Sequence, residues 1–334
     1  MTRAVRALAL AVGLGAALAA CSAPSLAGLP LVSRGPELLP VEGLEAPGLR
    51  ARARGAVLSG RGEGPIEILL LPSGARREHA FRGELAALAG PAPDGTFVYA
   101  VRDERLGLAL RRAHLDGSDA FVARLRRPVG ALALAPDART AAVLAPFDAD
   151  DPAGRGGTLA ELVLVDLVSG EAHPSGLACW KSTPAWIDAV RVAVAVVDDT
   201  GARWIAVHAR GSAGPPTALL AGERAVAAPD GTWLVAFERR DGALDARRSA
   251  LDGGVPEPLV VRGALEPLAL LADGLLLAYA APTLGAEPQW EFDLLGPQVA
   301  LATIKLHDLA QGSFQTVIAR ASPRRLWSAG SLGY

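Results

Sequence analysis

The chain has 334 residues, of which 51% are apolar, 33 basic and 35 acidic, for a net charge of -2. That balance argues against a nucleic-acid partner, and two cysteines are too few for a disulfide framework. Beyond the N-terminus no apolar run reaches the ~18 residues of a membrane-spanning helix.

In chain order, residues 1–20 read as an export signal, with Arg3 and Arg6 ahead of the apolar run from Ala7 to Leu18. The run ends in Leu18-Ala19-Ala20-Cys21, which resembles the lipobox of bacterial lipoproteins. The resemblance implies cleavage before Cys21, lipid attachment at Cys21, and the membrane as a partner through that lipid. The alternative is an ordinary secretory signal with a cysteine by chance. Two or more acyl chains hold a protein to a bilayer firmly where one does so marginally, and the lipoprotein resemblance implies three. Ser22 after the cysteine resembles outer-membrane sorting in a source with two membranes. Residues 21–47 are then lipid anchor and Pro-rich tether, and 48–334 the folded domain, facing the periplasm or the cell surface. Cys179 lies in the strand-like "LACW", where a buried small hydrophobe competes with a reactive thiol.

The folded region repeats one phrase. "APDGT" stands at 92–96 before FVYAV and again at 228–232 before WLVAF. Asp-Gly between apolar runs is a hairpin signal, because such turns need residues that tolerate positive φ. Related turns at Asp137-Ala138, Asp188-Ala189 and Asp273-Gly274 place the five aspartates 43, 51, 42 and 43 residues apart. Pro47-Gly48, 47 residues before Gly95, can be a sixth. A second turn follows the first by 22 residues in three units, at Asp116-Gly117, Arg210-Gly211 and Asp252-Gly253. Each unit thus contains four short strands, and a period of ~40 to 50 residues is that of a propeller blade. The strands after the first turn ("TFVYAV", "TAAVLA", "VRVAVAVV", "TWLVAF", "LLLAYA") are continuously apolar, as sheets covered on both faces require. A β-sandwich with accidental periodicity is the competing architecture.

Residues 91–117, "PAPDGTFVYAVRDERLGLALRRAHLDG", resemble the TolB-like, WD40-like (PD40-type) repeat of bacterial propellers. The resemblance covers about residues 48–320. It departs from the pattern where Ala replaces Gly after Asp137 and Asp188 and where Trp-Ser becomes Trp186-Ile187. It implies an all-β, six-bladed β-propeller with four-stranded antiparallel blades. The first blade has only a doubtful first strand, "VEGLEA", whereas "RRLWSAGSLGY" at 324–334 looks like the opening of a further repeat that stops after one strand. We expect this C-terminal segment to close the first blade, with a frayed tail as the alternative.

Catalytic signatures are missing: there is no Gly-x-Ser-x-Gly, His-Glu-x-x-His, Cys-x-x-Cys or phosphate loop. Hence no catalytic residue and no cofactor is expected. The chain has no asparagine, which disfavours the calcium site of the similar lactonase-like propellers. The five histidines flank the third-to-fourth-strand turns of different units and are expected apart on the outer rim, so no metal site is expected. The two long insertions, "PFDADDPAGRGGT" (146–158) and "PTLGAEPQWEFDLLGP" (282–297), replace the same second-to-third-strand loop in opposite blades of a six-blade ring. They would flank one mouth of the channel, and function concentrates on such loops. The candidate binding face comprises Asp148, Asp150 and Asp151 from the first loop and Trp290, Glu291, Phe292 and Asp293 from the second. The acidic triplet departs from a calcium-loop frame, while exposed aromatic anchors suit a protein or glycan partner, unless the two rings plug the channel. The function expected is a lipid-anchored, protein-binding or scaffolding propeller of the cell envelope. The alternative is a propeller hydrolase or lyase with a channel-mouth site.

Overall fold

The computed structural model describes residues 48–148, 159–212, 216–240, 243–259, 266–271, 274–280, 302–321 and 325–333. A four-residue helix, α1 (Leu49–Arg52), precedes β1 (Gly55–Gly60), β2 (Ile66–Leu71) and β3 (Arg76–His79). The next blade is β4 to β7 (Glu84–Ala89, Thr96–Asp103, Gly107–His114, Asp119–Arg124). It is followed by β8 to β11 (Ala131–Leu134, Thr140–Pro146, Leu159–Asp166, Ala172–Trp180) and by β12 to β15 (Ala185–Trp186, Arg191–Val197, Arg203–Ala209, Thr217–Ala221). Then come β16 to β19 (Arg224–Ala227, Trp233–Arg240, Ala243–Ala250, Glu257–Leu259) and β20 to β23 (Glu266–Leu271, Leu275–Ala280, Ala302–Asp308, Ser313–Ala321), with β24 (Leu326–Ser331) last.

These strands form four-stranded antiparallel sheets. Five blades each use four consecutive strands, whereas the remaining sheet has the order β24-β1-β2-β3 and is assembled from both ends of the domain. The innermost strands touch in a circle, β4 to β8, β12, β16, β20, β24 and back to β4. The chain is an all-β propeller.

The second strands are the core. Phe97, Val98, Tyr99 and Ala100 of β5, and Ala141, Ala142 and Leu144 of β9, are fully buried, because alternate side chains enter the seams on opposite sides of the blade. Phe97 and Tyr99 pack toward β1 and β2, while Val98 and Ala100 pack toward β8 and β9. A continuously apolar strand is the consequence of two covered faces.

The Asp turns use the carboxylate as a cap. Thr96 N donates to Asp94 Oδ1 at 2.8 Å, Arg139 N to Asp137 Oδ1 at 2.9 Å and Thr232 N to Asp230 Oδ1 at 3.1 Å. The next residue is left-handed, with φ of 88° at Gly95, 69° at Gly231 and 56° at Ala138. Asp188 makes a different turn, in which Oδ1 accepts from Val190 N and Arg191 N. Ala189 there is not left-handed, so it does not require glycine. The sixth turn expected at Pro47-Gly48 is a correction: Gly48 begins α1 instead of joining two strands. The helix is pinned where a hairpin would be, by Arg50 N donating to Gln315 Oε1 at 2.7 Å and Arg52 pairing with Asp308 at 2.6 Å. "VEGLEA" lies outside the described residues.

Candidate functional site: the channel and its loop edge

The blades have two edges. Asp turns join first to second strands on one; the starts of the first strands and the second-to-third-strand connections lie on the other, which we call the loop edge. Pro146 ends β9 and Leu159 begins β10 at that edge.

The base of the 146–158 insertion is clamped. Arg127 donates to Glu161 Oε2 at 2.6 Å and to the carbonyls of Ala145 and Pro146 at 3.1 and 2.7 Å. Its guanidinium also lies 5.3 Å from the Phe147 ring centroid. A planar fork on carboxylate and carbonyls fixes direction as well as energy. Asp148 leaves this clamp exposed to solvent. Asp150, Asp151, Trp290, Glu291, Phe292, Asp293 and Cys21 lie outside the described residues.

A second group of residues lies at the same edge. Arg203 stacks 3.9 Å from the Trp180 ring centroid and pairs with Glu223, whose other oxygen lies 3.8 Å from Arg239. Arg224 follows directly at the start of β16 and donates to Thr183 Oγ1 of the preceding blade at 3.3 Å. Arg224 lines the central channel, a cavity of about 170 Å3 walled by small apolar and proline residues such as Ala89, Leu132, Pro184, Val226 and Pro267. Burial pushes its pKa down to about 10, against the opposing charge of Glu223. The guanidinium is therefore charged at neutral pH and is the one ionisable side chain among the described residues of the channel wall. An apolar bore with one fixed cation can seat an apolar segment and orient an anionic group.

His114, His208 and His307 stand at the ends of third strands, just before the turn to the fourth. The Nε2 of His114 is 2.7 Å from Asp94 O, and its Nδ1 accepts from Asp116 N at 3.1 Å, tying two turns of one blade together. His208 and His307 are buried there, and so is His79 at the end of a fourth strand. His79 packs across a blade seam against Phe97 and Tyr99, 3.6 Å from Asp119, which also accepts from the Tyr99 hydroxyl at 2.8 Å and from Arg111. Its turn-flanking rim position is corrected accordingly: the partner comes from the next blade, which sequence spacing does not reveal. Burial raises the Tyr99 hydroxyl out of the physiological range and lowers His79. Cys179 is fully buried, its thiol pushed up to about 12, and it packs with Leu162 and Trp186 as a small hydrophobe.

Sequence reasoning located the loop edge through its insertions but missed Arg224. No sequence signal singles it out, since β4 and β20 also open on a charged residue, Glu84 and Glu266.

No family model matches the sequence. A comparison with curated proteins likewise finds no match. Among solved structures, TolB from Acinetobacter baumannii superposes with a TM-score of 0.58 at 14% identity, over 83% of this chain and 66% of that one. This chain thus spans just under two thirds of that protein's length. A TolB-type protein from Agrobacterium tumefaciens gives a TM-score of 0.56 at 14% identity, over 84% of this chain and 99% of that one. A chain of a nidogen/laminin complex gives 0.53 at 12% identity, over 84% and 99%. At these identities the likeness is one of fold.

Proposed function

We propose that this protein is a lipid-anchored, six-bladed propeller of the cell envelope that binds another protein through its loop edge. In this reading residues 1–20 are the signal, 21–47 the anchor and tether, and 48–334 the ring closed by β24. The observation that carries the reading is the channel wall, where an apolar bore and the half-buried Arg224 guanidinium supply contacts and orientation for a bound segment. The arginine–carboxylate clamps of Arg127 and Arg203 hold the surrounding edge rigid, and rigid presentation lowers the entropic cost of association. Asp148 and the residues of the second insertion, Trp290 and Phe292 above all, supply the anchors. The Leu-Ala-Ala-Cys box supports attachment at Cys21, and no helix among the described residues is long and apolar enough to cross a membrane.

The test is cross-linking of the intact lipoprotein in its native envelope, comparing wild type with a Trp290→Ala/Phe292→Ala variant. We expect the variant to lose its cross-linked partner and to melt like wild type, since exposed anchors contribute affinity, not fold. Equal capture by both proteins overturns the loop-edge assignment, and a large drop in melting temperature makes those rings core. Fatty-acid labelling in parallel should mark wild type and not Cys21→Ala; equal labelling overturns the anchor alone.

A further inference from the structure

Cross-strand register lines up side chains in rows, because directly paired residues project from the same face of a sheet. In the composite blade Ser59 pairs with Trp327 on one side and Glu67 on the other, and Glu67 pairs with Glu78. Trp327, Ser59, Glu67 and Glu78 therefore form one row across all four strands. The neighbouring row on that face is Ala329, Val57, Leu69 and Arg76. The face looks toward the blade of β20 to β23, and Val57, Leu69 and Ala329 pack there with Leu271, Ile304 and Leu306. The seam is closed along that apolar part. Along the polar row it opens into a cleft of about 770 Å3, with Ser59, Glu67, Glu78, Arg76, Arg325 and Trp327 on its wall over an apolar floor that includes Ile318.

This composition is not what seam packing alone selects. Like charges directly opposite on paired strands destabilise, yet two carboxylates, Glu67 and Glu78, are so placed. Arg325 is arranged around the first: it donates to Glu67 Oε1 at 2.6 Å and to Ser59 Oγ at 3.1 Å. That pairing holds the Glu67 carboxyl below its ordinary value, so it stays an acceptor throughout the physiological range. The wall thus offers one fixed carboxylate, Glu67, an exposed one, Glu78, and a half-buried indole in one row, with the guanidinium groups of Arg325 and Arg76 beside it.

We propose that this cleft is a binding site for a neutral oligosaccharide. An indole presents an amphipathic face on which the C–H side of a sugar ring stacks, and carboxylates and guanidinium groups are matched to hydroxyls that both donate and accept. A divalent cation fits the wall less well, because Arg325 and Arg76 stand beside the carboxylates and repel it. A purely apolar ligand would leave the charged row desolvated without partners. The site lies in the seam of the composite blade, and none of its lining residues named here belongs to the channel wall.

The test is titration of the full-length protein with N,N′-diacetylchitobiose, cellobiose and maltotriose by calorimetry and saturation-transfer NMR. At least one should bind saturably with its ring protons saturated by aromatic resonances. Glu78→Gln, at an exposed position, should weaken binding about tenfold or more, roughly the worth of one hydrogen bond to a charged group, without lowering the melting temperature, since it relieves the like-charge pair with Glu67. Trp327→Phe should retain the fold and lose part of the affinity. Absence of saturable binding by all three saccharides overturns the proposal, as does binding that Glu78→Gln leaves unchanged. Calcium chloride alone raising the melting temperature of wild type but not of Glu78→Gln would reassign the cleft to a cation and equally overturn it.

Discussion

Gly330 shows how one residue can carry ring closure. A Cβ placed on it would overlap the carbonyl oxygen of Pro91 in the adjoining blade, a backbone atom that has no rotamer to escape into. Gly330→Ala should therefore destabilise the protein by roughly 3 kcal/mol or more, the range reached by overpacking and lost backbone contacts. Gly117→Ala is the comparison. Its φ of 98° is left-handed, and nothing lies within 4 Å of the added methyl, so only the conformational cost of about 1–2 kcal/mol applies. Urea unfolding of both variants checks the order; equal losses would mean that the contact with Pro91 relaxes. Both glycines are visible in the sequence. Their different reasons are not, since Pro91 and Gly330 are remote in the chain.

At the scale of the element, β24 is the strand that joins the two ends of the domain. It pairs with β1 from Gly55–Ser331 to Gly60–Leu326. It is also stitched to the adjoining blade by Ser328 Oγ donating to Gly90 O at 2.9 Å and Gly333 N donating to Pro93 O at 2.8 Å. Leu326 remains 37% exposed and Trp327 is half-buried, so apolar burial by these two is a smaller part of the strand's worth than their size suggests. The ladder matters more, because β1 is buried along its whole length and each backbone group left unpaired in such surroundings costs about 1–3 kcal/mol. Several such losses equal the ~5–15 kcal/mol stability of a whole domain. A chain ending at Pro323 should aggregate or lose its cooperative unfolding transition. Melting like full length would show that β24 is dispensable.

For the whole molecule, three buried histidines link stability to pH. Burial lowers the pKa of His79, His208 and His307, the last to about 4 with help from the nearby Lys305 charge. Each is neutral in the fold, while the unfolded chain takes up its proton near the ordinary value of about 6.5. The stabilisation is therefore complete above about pH 6.5 and is lost as pH falls toward the folded values. Carboxylates held low, Asp166 by the turn amides of Ser169 and Val168 and Asp198 by the Thr200 hydroxyl and the Trp204 indole, add a further loss only nearer their own ordinary range of about 4. The urea midpoint should fall steadily from about pH 7 to pH 4.5, and His307→Gln should flatten that slope. A midpoint independent of pH over this window would show that these histidines titrate as exposed ones.

The blade period, the Asp turns and the doubly buried second strands were legible in the sequence, because each is a local rule: a turn needs its cap and its left-handed residue, and a strand covered on both faces must be apolar throughout. The loop edge was legible too, since insertions in equivalent connections lie on one side of any such ring. The tertiary structure alone decided the contents of that architecture. Arg224 in the channel, His79 against the next blade, and the row from Trp327 to Glu78 all depend on which residues meet across seams and across a sheet made from both ends. Strand register and blade packing set those meetings over separations of tens to hundreds of residues, distances at which a periodic pattern carries no information about partners.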